Sequence, residues 1–200
     1  MDSALQVETA LGAGRGALIV SIFGCGWLVW GLFIIGAFTP VRIVALGVIE
    51  LAFLDGAVYF IRKGRTLRKQ YPRLPQAVTR NTAKWYWIIV AAEVVAIAIA
   101  ANVAIDLRRP ELIPDWIAIL VGLHFLPLAK IFHARSMAYV GAAMVLWSIL
   151  CWIAFRSDAL AAAVVFGAGV LVWIASGLAL RRARAAVRSL SHQRPATIPG

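Results

Sequence analysis

Six long apolar stretches alternate with short polar ones along this chain, and that alternation predicts its architecture. A stretch without a charge runs from about residue 16 to 38, and Thr39-Pro40-Val41-Arg42 is long enough only for a tight turn. A second apolar stretch follows over about 43–61, then a basic segment, Arg62 to Lys84. Further stretches cover about 85–105, 116–132, 137–155 and 159–180, separated by DLRRPELIPD and two shorter breaks. About 20 residues are needed to cross the hydrocarbon core as a helix. The pattern therefore predicts an all-α integral membrane bundle of six transmembrane helices forming one domain over residues 1–190. A disordered tail is expected over 191–200, where LSHQRPATIPG loses its apolar positions.

Composition supports a bilayer as the solvent. Of 200 residues, 62% are hydrophobic and 14% charged, with a mean hydropathy of +0.84. Ordinary soluble domains hold about 45–50% apolar and about 25% charged residues. The basic start and small-residue cleavage site of a secretory signal are not evident, so the first stretch is expected to be a retained span.

The net charge of +11 raises the question of nucleic acid. Its distribution answers it, because the basic residues gather between the apolar stretches. There they set orientation and meet anionic headgroups, and no nucleic-acid partner is expected. With the N-terminus inside, the inner segments carry 16 basic residues and the outer ones 4. The positive-inside rule then puts both termini in the cytoplasm. Arg62, Arg65 and Lys69 share one face where the second span leaves the membrane and are expected to contact lipid headgroups. The abundance of Arg and Ala suggests a bacterial cytoplasmic (inner) membrane. Gly12 and Gly16 form a GxxxG pair that points to a homo-oligomer.

Candidate chemistry lies in the few ionisable residues within the apolar stretches. A charged side chain at mid-membrane costs about 2.5–3.5 kcal/mol on insertion scales, and such residues usually face the bundle interior. At 1.5 Å per residue, Glu50, Glu93 and His124 each fall about 11–12 Å from a membrane face, close to the midplane. In the third span Ala92, Ala96, Ala100 and Ala104 repeat every fourth residue, and the last three share a helical face with Glu93. Small residues so spaced let helices approach, which directs Glu93 into a helix–helix seam. Pro127 removes an amide donor to the carbonyl of Leu123 and predicts a helix kink beside His124. Asp55 and Tyr59 form a secondary polar pair nearer the cytoplasmic face.

The segment Val121–Phe132, VGLHFLPLAKIF, resembles a stretch found in uncharacterised bacterial multipass membrane proteins of the domain-of-unknown-function kind. The resemblance covers about a dozen residues and implies a multipass helical fold without an assigned activity. It draws attention to His124 by a separate route.

Three functions are compatible with a midplane Glu50–Glu93–His124 cluster. It could serve a small proton- or cation-linked transporter or channel, or it could only fix helix packing in an accessory membrane protein. As a third possibility, the same residues could act in an intramembrane enzyme or hold a metal. HExxH, Walker A, GxSxG and CxxC motifs are all absent. The three histidines lie at different depths, and Cys25 and Cys151 are isolated within apolar stretches. No cofactor and no resident metal are expected, and an enzyme is the least favoured of the three.

Overall fold

The computed structural model describes residues 3–71, 76–155 and 158–192. The helices, in chain order, are α1 (Ser3–Ile34), α2 (Pro40–Leu67), α3 (Gln76–Asp106), α4 (Ile113–Ile131), α5 (Arg135–Ala154) and α6 (Asp158–His192), with a 3-10 turn at Pro110–Leu112 before α4. Each helix carries an 18-residue window of mean hydropathy between 1.8 and 2.5. The chain is an all-α multipass membrane protein. Large apolar side chains such as Phe33, Val41, Ile99, Trp152 and Ile153 point outward, as lipid contact requires.

Short connections are closed by local backbone chemistry. After α1, the N–H of Ala37 donates to the carbonyl of Leu32 and that of Gly36 to Phe33. Gly36 has φ +62°, so this is a Schellman ending with glycine in the left-handed region. Arg109 and Arg108 repeat the pair of bonds onto Ala104 and Ile105 after α3, and Ala134 and His133 onto Ala129 and Lys130 after α4. There the left-handed residue is Arg108 (φ 55°) or His133 (φ 49°), a conformation that costs a residue with a Cβ about 1–2 kcal/mol. Pro40 opens α2 at its first turn, where its missing N–H would have no partner anyway. Pro127 sits inside α4, which the structure carries through it as one helix from Ile113 to Ile131.

α6 is the hub. It packs most extensively on α1 and also touches α5, α4 and α2. α4 and α5 form a second close pair, α2 lies against α1 and α6, and α3 lies against α4 and the 3-10 turn alone among the described elements. The main core joins Trp27, Phe125, Met144, Val164, Val165, Ala168 and Val172, so Trp27 packs between helices as its mid-span position suggests. Glycines set the closest crossings. A Cβ on Gly122 would lie 2.8 Å from the carbonyl oxygen of Gly141 and 2.9 Å from Val145 Cγ2. Gly24 likewise admits Trp173 of α6, whereas Gly12 and Gly16 have open space around them.

Four helices run further than the hydrophobic pattern indicates; α2 continues to Leu67 and α3 begins at Gln76, and α1 and α6 depart furthest. α1 begins at Ser3 rather than near residue 16, and α6 continues to His192 rather than ending near 180. At about 1.5 Å per residue both exceed a hydrocarbon core about 30 Å thick. Their extensions meet the end of α2 in a small cluster of Val7, Leu11, Leu67 and Leu190, flanked by Tyr71 and Val187. Tyr71 Oη donates to the carbonyl of Leu190 at 3.4 Å, and Arg68 Nε lies 3.1 Å from Glu8 Oε1. The first described turns of α1 and the last of α6 lie together at this end. Ser191 and His192 belong to α6, and the rest of the expected disordered tail, 193–200, lies outside the described residues.

Candidate functional site

The Ala repeat of α3 packs in part, since Ala92 is exposed. Glu93, Ala96, Ala100 and Ala104 are among the less exposed positions of this largely exposed helix, with Ala104 wholly buried. This face lies on α4, and there Glu93 meets His124. Nδ1 of His124 stands 3.0 Å from Oε2 of Glu93, with side chains 11% and 17% exposed respectively. Nδ1 makes no closed hydrogen bond in this geometry, so the contact is a close approach of two titratable groups. The His124 ring also meets Phe125 edge-on, at 6.0 Å between centroids.

Glu50 does not join them. It lies on α2, which approaches only α1 and α6, whereas α3 approaches only α4 and the 3-10 turn. The midplane carboxylates are therefore in separate seams, because helices of similar depth need not be neighbours. Glu50 is 8% exposed and accepts a hydrogen bond from Ser21 Oγ of α1 at 2.9 Å. Its other oxygen, Oε2, has no hydrogen-bond partner among the described residues. Cys25, one turn along α1, lies beside the same carboxylate. α6 completes this seam by donating to α1 carbonyls, with Trp173 Nε1 to Ser21 at 3.2 Å and Ser176 Oγ to Ala17 at 3.0 Å.

A third buried carboxylate was not anticipated from the sequence. Asp115, read as part of the loop DLRRPELIPD, stands in the first turn of α4 and is 4% exposed. Ser148 and Cys151 of α5 lie beside it, both fully buried. Asp115 Oδ1 and Ser148 Oγ have no hydrogen-bond partner among the described residues. A Pro-Asp pair opening an apolar helix is the available signal, since acids favour a helix N-terminus. The burial itself comes from α5, which the sequence pattern does not place.

Asp55 and Tyr59 are exposed on α2 and line an open groove of about 340 Å³ together with Val58, Arg62, Lys63 and Thr66. Arg65 and Lys69 are also exposed but do not line the groove. Among the described residues, no three His, Cys, Asp or Glu side chains gather as a metal site, and Cys25 and Cys151 are free thiols.

Comparison of the chain with protein-family models, curated proteins and solved structures found no match. Its function is therefore read from its own residues.

Proposed function

We propose that the chain is a small proton-linked transporter or channel of a bacterial cytoplasmic membrane, with Glu93–His124 as its proton-handling pair. The observation that carries this is the 3.0 Å approach of two titratable groups on different helices. A proton on the imidazole beside an ionised carboxylate gives an ion pair. The same proton on the carboxyl gives two neutral groups. Both states are neutral overall, so moving between them leaves no net charge in hydrocarbon. Only the first state holds α3 and α4 together by opposite charges. Among the described elements α3 has no other helix against it, so the seat of α3 is linked to the proton's position. Glu50 and Asp115, each beside a serine hydroxyl, are two further buried carboxylates in the bundle. The 16-to-4 division of basic residues supports cytoplasmic termini.

A second reading follows from the directness of the same contact. Two side chains that meet each other can simply clasp a peripheral helix, which is the accessory-protein role. Proteoliposomes holding wild type, Glu93→Gln or His124→Gln, assayed for proton and solute movement across a panel of ions and small solutes, separate the two. Movement in wild type that both substitutions abolish, while fold and orientation are kept, supports the transporter. If wild type moves nothing and the variants change stability alone, the clasp is its role.

A further inference from the structure

We propose that the groove on α2 bounded by Asp55, Tyr59, Arg62, Lys63 and Thr66 is a binding site for the phosphate of an anionic glycerophospholipid headgroup. α2 begins at Pro40 and its other end, at Leu67, meets Val7 of α1 and Leu190 of α6, so Pro40 starts it at the opposite face of the bundle. At about 1.5 Å per residue, Tyr59 lies about 28 Å along the helix, near the far edge of a core about 30 Å thick. The groove therefore opens where headgroup phosphates lie. Tyr59 is 56% exposed there, the depth at which a ring with a polar tip is favoured.

The chemistry is polarised along the helix. Arg62 and Lys63 place two cations at the outer part of the groove, and Thr66, whose hydroxyl donates to the carbonyl of Arg62 at 3.2 Å, bounds it one turn on. Guanidinium and ammonium groups are the usual partners of phosphate oxygens. Asp55 closes the membrane-ward end with a carboxylate, which repels phosphate and confines the anion to the Arg62–Lys63 end. The groove is open and is lined by side chains of α2 alone among the described residues, which suits a headgroup that reaches it from the lipid side while its acyl chains stay in the bilayer. The opposite face of α2 is occupied, since Gly64 admits Leu11 and Ala57 is fully buried, so the groove faces the lipid side of the bundle.

The test uses the full chain in nanodiscs and delipidated detergent micelles, measuring retention of phosphatidylglycerol against phosphatidylcholine by native mass spectrometry. Arg65 supplies the control, being an exposed cation on the same helix outside the groove. A diffuse surface attraction is worth about 1 kcal/mol, or about fivefold, per basic residue wherever it lies. Arg62→Gln and Lys63→Gln are each expected to weaken phosphatidylglycerol retention by about tenfold or more, Arg65→Gln by about fivefold or less. Asp55→Asn is expected to retain or tighten binding. Equal losses at Arg62, Lys63 and Arg65 overturn the proposal, as does equal retention of phosphatidylcholine by wild type. An excess of glycerol phosphate that displaces the lipid also overturns it, because the site then takes free phosphate esters.

Discussion

Adding one methyl group at Gly141 tests the α4–α5 crossing that positions His124. A Cβ there would press on the carbonyl oxygen of Gly122 and lie 2.9 Å from Phe125 Cβ. Neither atom can turn away, because one belongs to helix backbone and the other to a side-chain root. The helices must part, and a gap of about 0.5–1 Å already forfeits about a quarter to a half of each contact's attraction. Overpacking of this kind costs about 1–3 kcal/mol. Alanine returns about 0.8–1.0 kcal/mol through its better helix propensity. The net expectation is a loss of between about 0 and 2 kcal/mol for Gly141→Ala. Gly26 and Gly47 provide the comparison, since a Cβ at either meets nothing within 4 Å; alanine there should be neutral or stabilising by up to about 1 kcal/mol. Reversible unfolding in mixed micelles, followed by tryptophan fluorescence, measures all three. Should Gly141→Ala prove as stable as Gly26→Ala, the close crossing is not a real constraint and the seating of α4 against α5 loses its support.

A double-mutant cycle of Glu93→Ala and His124→Ala is expected to give a coupling of about 0.6–1.7 kcal/mol, the range of interhelical polar contacts in bilayers; zero coupling counts against the pair. Ser21→Ala removes the donor to Glu50 and is expected to cost about 1–3 kcal/mol, as for a buried acceptor left unpaired. Glu50→Gln keeps an acceptor there and should cost less, with the reverse order showing that charge rather than the hydrogen bond matters. Glycine at Arg108 or His133, where φ is positive, is expected to stabilise by about 1 kcal/mol in the same unfolding assay. Cys151, 1% exposed, is expected to resist a membrane-permeant maleimide until the bundle is unfolded; rapid labelling of the folded protein would contradict the packing of α5.

The number of helices and their approximate spans were legible in the sequence because a bilayer imposes a length and a polarity that apolar runs report directly. Seam-facing residues on α3 were legible for a similar reason, since Ala96, Ala100 and Ala104 share Glu93's helical phase. Partnership between helices was not. Depth is a coordinate along one axis, and Glu50 and Glu93 share it while lying on helices that do not approach each other. Asp115 escaped notice because loop and buried first turn differ only in what packs above them, and α5 supplies that cover. The extension of α1 to Ser3 was hidden by Glu8 and Arg15, although Ala4, Val7 and Leu11 keep a helical spacing that buries them.

The one-sided attachment of α3 also bears on biogenesis. α3 precedes α4 in the chain, so it enters the bilayer before the imidazole that will face Glu93 has been synthesised. During that interval a glutamate side chain must be carried by hydrophobicity alone. α3 has the highest mean hydropathy window of the six helices, 2.5, and α4 the lowest, 1.8. The order suits a pathway in which α3 inserts unaided and then receives α4, the helix least able to insert by itself. Glu93 is then a docking point for a late arrival during assembly, before it has any part in the finished protein.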